Sequence, residues 1–223
     1  RIIRKINFDF SRFFGRISIK RLKYFPIYFV GLILLFGFIY LSIPKFYNYE
    51  NLSIENEICN DYKVKCSSIG KINYNIFPYP RITFRNVIIY DLFDNTKSFG
   101  KIEKVELKLI LRNLLNKKQF LFSKIELQKA NININLKKIK KYKNFFSELT
   151  ISKPVYIKKG KINFLNGEKN ITSVENINYK YYPDEKTDDV ILKGNFLGDN
   201  IYINFKNNKN LLKIFLLKIQ DLN

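Results

Sequence analysis

The chain has 223 residues and a formal net charge of +21, with two Cys and with no His, Met or Trp. Without His it can form neither a Ser-His-Asp nor a Cys-His catalytic arrangement, and two Cys are too few for a usual zinc site. Its Gly residues form no nucleotide-binding fingerprint. We therefore predict a protein that is not an enzyme, with no catalytic residue, no metal and no cofactor.

The positive charge is concentrated at the start of the chain. Residues 1–23 contain eight basic residues and one acidic residue, Asp9, for a net charge of +7. The other +14 is spread over the rest of the chain with acids interspersed, as in residues 101–108, which is typical of a solvated strand face. We expect no nucleic-acid partner, and we interpret residues 1–23 as a basic arm.

Residues 24–44 form a predicted transmembrane helix. The segment has no charged residue, and Phe25–Ile43 as a helix measures about 28 Å, close to the thickness of the hydrocarbon core. A cleaved signal peptide would have a shorter apolar core, and a buried core helix would have a polar face. The excess of Lys and Arg before the segment places the basic arm in the cytoplasm. The sequence thus predicts a single-pass anchor with residues 45–223 outside the cytoplasm.

Residues 45–223 are predicted to form one mainly β domain. Apolar and polar residues alternate in several segments, as around Val105 and Ile132, so that each strand has one apolar face. Turn signals such as Asn166-Gly167 connect the strands as hairpins. These patterns indicate an antiparallel sheet with one apolar face. The predicted exceptions are short helices within 51–61, 109–117 and 137–149, and a solvated loop that contains Asp188 and Asp189.

A sheet with one apolar face must cover that face, close on itself or present it to an apolar ligand. The residue pattern leaves two architectures open, a small sandwich with a closed core and an open hydrophobic groove. It also leaves open the state of Cys59 and Cys66. Six residues separate these two Cys on the side where oxidation is permitted, so a local disulfide is predicted, and two buried free thiols are the alternative.

The order of motifs after the anchor resembles the start of AsmA-family proteins. The motifs are a Gly-x-Ile strand at 70–72, a Pro-x-Pro turn at 78–80, a strand at 81–87 ending in Asn-Val, and the segment 104–107 followed by Leu114-Leu115. The segments 122–127 and 131–134 fit the same plan. The resemblance covers roughly residues 25–205, and its specificity lies in the order of these short motifs.

The resemblance implies an inner-membrane-anchored periplasmic protein of a Gram-negative-type bacterium, similar to bridge-like lipid carriers with a curved sheet that forms an apolar trough. It implies outer-membrane biogenesis, with phospholipid and possible other envelope proteins as partners. The chain differs from the family in length, because many members are several times longer. It is either a fragment or a short member.

We therefore expect a mainly β fold in which one transmembrane helix precedes a curved, one-sided, groove-like antiparallel sheet with one or two short helices. The function expected is the binding or conduction of phospholipid acyl chains. The alternative is an assembly or scaffold factor with a closed β core. The residues predicted to line the lipid groove are Val105, Leu107, Leu109, Ile132, Ile134, Leu136, Ile162 and Phe164.

Overall fold

The computed structural model of the chain describes residues 24–47, 59, 62–68, 72–116, 121–148, 151–184, 187–208 and 216–219. The predicted basic arm at 1–23 and, apart from Cys59, the predicted helix at 51–61 lie outside these residues. The chain divides into two compact units, residues 1–43 and residues 44–223.

Helix α1 is Phe25–Ser42, and a 3₁₀ turn, Ile43–Phe46, follows it. Its eighteen residues carry no charge and none of their side chains is buried. A helix of this length measures about 27 Å, and α1 is long and apolar enough to cross a membrane. This is consistent with a single-pass membrane anchor.

The second unit is built on one open sheet. Its strands are β1 Cys66–Ser68, β2 Asn73–Asn75, β3 Arg81–Asp91, β4 Asp94–Leu109, β5 Phe122–Asn135, β6 Val155–Asn166, β7 Lys169–Pro183, β8 Thr187–Phe196, β9 Asp199–Asn208 and β10 Leu216–Ile219. The spatial order is β1-β3-β4-β5-β6-β7-β8-β9-β10. Strand β2 also pairs with β3, at residues 81–83, whereas β1 pairs with residues 87–89. The mainly β prediction is confirmed, and among the described residues no second sheet packs on the first as a sandwich.

The sheet is mixed rather than antiparallel throughout. The exception is β5 with β6, which pair in parallel, as in Ile132 with Ile162 and Ile134 with Phe164. A parallel pair requires a crossover, and helix α2, Ile139–Glu148, supplies it after a 3₁₀ turn at Leu136–Lys138. The helix predicted within 137–149 is therefore the crossover that lets β6 run in the same direction as β5.

Two other local predictions have different outcomes. The segment 109–117 contains a short 3₁₀ turn, Leu111–Asn113, between β4 and β5, and this agrees with the predicted helical interruption. The loop predicted around Asp188 and Asp189 is wrong, because both residues belong to β8 and pair with Asn207 and Lys206 of β9. Their acidic side chains are typical of a loop, but the apolar residues that follow them belong to the same strand.

A row of left-handed residues crosses the middle of the sheet. Asn86 in β3, Lys129 in β5, Lys159 in β6 and Asn176 in β7 have φ values of 53°, 52°, 53° and 51°. The strand registers place Asn86, Glu103 of β4, Lys129 and Lys159 side by side, and Asn176 adjoins Ile177, the partner of Gly160. L-residues adopt this conformation at a cost of roughly 1–2 kcal/mol each. Such a row implies that these conformations have a compensating structural benefit.

The benefit of the left-handed row is that one face of the sheet stays apolar on both sides of it. In β5, Leu127 lies before the row and lines a cavity, whereas after the row Ala130 pairs with Ile102, which lines the same cavity. In β7, Val174 and Ile177 both lie against Gly194, with Val174 Cγ1 and Ile177 Cγ1 3.2 and 3.4 Å from the position a Cβ would take there. Residues three apart thus share a face, and strict alternation is interrupted once per strand.

We predict that Lys159→Gly leaves the free energy of unfolding unchanged or raises it by up to about 1 kcal/mol, because Gly relieves the left-handed strain. The matched control is Lys101→Gly, at an equally exposed position of β4 with ordinary strand backbone. This control is expected to cost about 1 kcal/mol, since Gly weakens a strand interior. Chemical denaturation of the full chain in detergent measures both, and an equal loss in the two variants would contradict the role of the row.

Candidate functional site

The candidate site is a cavity of about 260 Å³ on the apolar face of β3, β4 and β5. The sheet forms its floor, and the disulfide loop (Cys59 and residues 62–66), helix α2 and the segment before β6 form its walls. The lining residues are Cys59, Tyr62, Val64, Cys66, Ser68, Phe84, Val87, Ile89, Leu92, Phe99, Ile102, Val105, Ile125, Leu127, Phe145, Ile151 and Val155. None of these residues is charged, so the cavity favours an apolar ligand.

The disulfide loop holds one wall in place. Cys59 and Cys66 are joined by a disulfide, with their Cα atoms 6.1 Å apart. Within the loop the Val64 amide donates to the Cys59 carbonyl at 2.9 Å, and at its end the Tyr90 amide of β3 donates to the Lys65 carbonyl at 2.9 Å. The bridge therefore keeps Tyr62 and Val64 against the edge of the sheet.

A buried carboxylate attaches helix α2, which forms another wall of the cavity. Asp91, at the end of β3, accepts hydrogen bonds from the Tyr142 hydroxyl and the Lys138 ammonium, both at 3.1 Å, and from the Phe93 amide at 2.8 Å. Tyr142 of α2 also packs on Phe93 and Phe99, with ring centroids 5.7 and 5.5 Å apart. Burial first, and then the charge of Asp91, raise the pKa of Tyr142 to about 12, so the phenol remains a donor at neutral pH.

The apolar face continues beyond the cavity over β6 to β9. The side chains on this face are partly exposed. Strand registers pair Ile162 with Val174, and Tyr179 with Leu192, which in turn pairs with Ile203. Val174 is on the same face as Ile177, because both contact Gly194. Among the described residues of this unit, no helix or further sheet packs over β7 to β9. The cavity is thus the covered end of a longer apolar surface.

The structure places most of the predicted groove residues on this one face. Val105 lines the cavity, and Leu107 and Leu109 are buried in the core next to it. The pairs Ile132 with Ile162 and Ile134 with Phe164 lie farther along, partly exposed, on the same face. Leu136 is different, because it lies in the 3₁₀ turn after β5 and is 39% exposed. Contact of any of them with lipid stays a prediction.

The predicted groove residues include neither the floor contributed by β3 nor the walls contributed by Tyr62, Val64 and Phe145. A signal for the floor was present. Apolar residues of β3 fall on even positions at Ile82 and Phe84 and on odd positions at Val87 and Ile89, and this change marks the left-handed row. The walls had no comparable signal, since they depend on where the loop and helix fold back.

No protein-family model matches the chain, and no curated protein matches it. Among the described residues there is also no group of three His, Cys, Asp or Glu side chains that could hold a metal ion. The fold and the site define a class in general terms. The chain contains a candidate membrane-spanning helix and an open mixed sheet with an apolar cavity.

We predict that Asp91→Asn lowers the free energy of unfolding by about 1–3 kcal/mol, because it weakens the hydrogen bonds that attach α2 to the sheet. Hydrogen exchange of the α2 amides should accelerate more than that of β7. Glu103→Gln is the control, since Glu103 pairs with Lys129 on an exposed surface and such pairs contribute little. An equal effect of the two substitutions would show that Asp91 does not hold the helix.

Proposed function

We propose that this protein is a membrane-anchored, non-enzymatic lipid-binding protein of the bacterial envelope, which holds phospholipid acyl chains in the cavity and along the apolar face of the sheet. The observation that carries the proposal is the uncharged cavity continuing into a partly exposed apolar face. Burial of each methylene contributes about 0.8 kcal/mol. A chain of several methylenes would therefore bind without any specific polar contact.

The size and shape of the site support a flexible apolar chain rather than a compact polar ligand. A cavity of about 260 Å³ is slightly below the range of roughly 300–1,000 Å³ typical of ligand pockets. It therefore suits part of a ligand, with the rest on the open face of β6 to β9. The phospholipid headgroup would lie outside the cavity, because no lining side chain is charged to receive it.

The anchor and the disulfide support a location for this activity. The Lys and Arg before α1 orient residues 1–23 toward the cytoplasm, which leaves the sheet on the other side of the membrane. A disulfide in the wall of the cavity suits an oxidising compartment. Together with the AsmA-family resemblance, this favours an inner-membrane anchor, a periplasmic sheet and a part in outer-membrane biogenesis.

A second candidate is an assembly or scaffold factor. The partly exposed face of β6 to β9 favours it, because another envelope protein could cover that face as a second layer. The two candidates differ in what enters the cavity. A lipid carrier requires acyl chains beneath α2, whereas a scaffold requires only that the open face be covered.

The test uses the full chain in nanodiscs that contain phospholipid with a photoactivatable acyl chain. Cross-links mapped by mass spectrometry are expected on α1, which lies in the bilayer, and also on lining residues such as Val87, Leu127 and Phe145. The cross-links on α1 serve as an internal reference. Cross-links confined to α1 would contradict lipid binding by the sheet and favour the scaffold.

The double substitution Leu127→Phe and Val155→Phe fills the cavity with larger apolar side chains. We expect it to lower cross-linking of the cavity roughly tenfold relative to α1, since excluding two methylenes loses about 1.6 kcal/mol. Ile191→Phe is the control, because Ile191 pairs with Lys180 on the opposite face of the sheet. Leu107 is unsuitable for such a test, since it is fully buried and its replacement would disturb folding.

A further inference from the structure

The face of β3–β7 opposite the cavity, here called the basic face, carries two buried glutamates beneath a layer of cations. Glu106 and Glu126 are direct neighbours on β4 and β5, and their side chains are 8% and 4% exposed. Two adjacent carboxylates at such a depth require compensation. The surrounding cations therefore have a structural role before any other.

Four cations supply this compensation. Arg81 and Lys104 lie 3.4 and 2.6 Å from Glu106, and Lys124 and Lys158 lie 3.5 and 2.7 Å from Glu126. Burial raises the pKa of Glu126, but the hydrogen bonds from Lys158 and Gln128 and the charges of Lys158 and Lys124 together outweigh it, so the pKa is lowered. Glu126 is thus held in its ionised form, and the side chains of both glutamates are covered. Four positive charges meet two negative charges, so this network alone has an excess of +2.

The excess is exposed and is increased by three neighbours. The Lys158 side chain is 56% exposed although its partner Glu126 is 4% exposed, so the positive end of this pair faces solvent. Arg85, Lys108 and Lys180 lie on the same face, in register with Lys104, Arg81 and Tyr156. None of the three has an acidic side chain within ion-pair distance among the described residues. These seven cations and two acids therefore have a net charge of +5.

Tyrosines interleave with these cations. The Lys124 ammonium lies 4.4 Å from the centroid of the Tyr156 ring, and Lys108 lies 5.0 Å from that of Tyr79. Tyr156 also meets Tyr182 edge to face at 5.3 Å. Lys and Tyr together are typical of protein surfaces at the headgroup level of membranes. Stacking of nucleic-acid bases needs open aromatic platforms, and here cations or other rings already occupy ring surfaces.

We propose that the basic face docks on the surface of an anionic phospholipid bilayer. Positive charge is concentrated on this face, the buried carboxylates cannot be approached, and the phosphates of a bilayer provide the complementary charge. Helix α1 of the same chain, as a membrane anchor, would keep a bilayer within reach, which raises its effective concentration. The proposal does not depend on what the cavity binds.

The test uses the full chain in nanodiscs of phosphatidylcholine alone or of phosphatidylcholine with phosphatidylglycerol. Amine-reactive labelling followed by mass spectrometry reports the accessibility of each Lys. We expect Lys158 to be labelled more slowly in the anionic nanodiscs, with Lys140, Lys141 and Lys143 of α2 unchanged as internal references. High salt should remove the protection, because it screens the attraction.

The triple substitution Arg85→Gln, Lys108→Gln and Lys180→Gln removes three charges without touching either buried glutamate. It should lower the docking equilibrium constant by roughly a hundredfold, at about 1 kcal/mol per cation near the bilayer. The control removes three charges from α2 by Lys140→Gln, Lys141→Gln and Lys143→Gln. These positions are exposed and lie off the basic face.

Two results would overturn the proposal. One is equal labelling of Lys158 in the two kinds of nanodisc. The other is protection of Lys158 that the three α2 substitutions remove as fully as the triple substitution on the basic face. Protection that appears only when a short RNA is added would assign the face to nucleic acid instead. Loss of acyl-chain cross-links in the cavity would bear on the proposed function alone, because it leaves the labelling of Lys158 unchanged.

Discussion

The fold depends on keeping one face of a long open sheet apolar. Strand β4 has 16 residues and β7 has 15, far more than a strand of ordinary length. A row of left-handed residues changes which alternate positions face the cavity, at Asn86, Lys129, Lys159 and Asn176. Each of these conformations is unfavourable for the residue that adopts it. The cost is offset because the strands on both sides of the row contribute to one continuous apolar face.

The opposite face solves a different problem. Carboxylates at Glu106 and Glu126 lie within the sheet surface, where an ionised group is tolerated only with close cations and hydrogen bonds. Arg81, Lys104, Lys124 and Lys158 supply them, and the same side chains leave the surface positive. Much of the charge that the sequence spreads along the strands is therefore gathered on one side. Apolar and cationic surfaces end up on opposite sides of a single layer.

The sequence predicted the class of the fold because alternation and an uncharged helical segment are local signals. It did not predict the parallel pairing of β5 with β6. Whether α2 serves as a crossover between parallel strands or only separates two antiparallel strands depends on distant contacts, such as that of Asp91 with Tyr142. The placement of Ile132 and Ile134 on the same face as Val105 also could not be derived from alternation alone, because it depends on the left-handed Lys129. Leu136 was assigned to the face by extending the same alternation one residue past the end of β5.

The open apolar face is the property that connects this architecture to the proposed function. A sandwich would cover its apolar face with a second sheet, whereas here the described cover over β3 to β5 consists of α2, the disulfide loop and the segment before β6. Such a cover is attached by specific contacts, which include the Cys59–Cys66 bridge, the hydrogen bonds of Asp91 and the packing of Tyr142 on two phenylalanines. An apolar space bounded in this way can admit a flexible chain at its uncovered side while its floor remains fixed by the sheet. For the acyl chain of the proposed function, the arrangement therefore favours entry lengthwise along the face of β6 over complete enclosure.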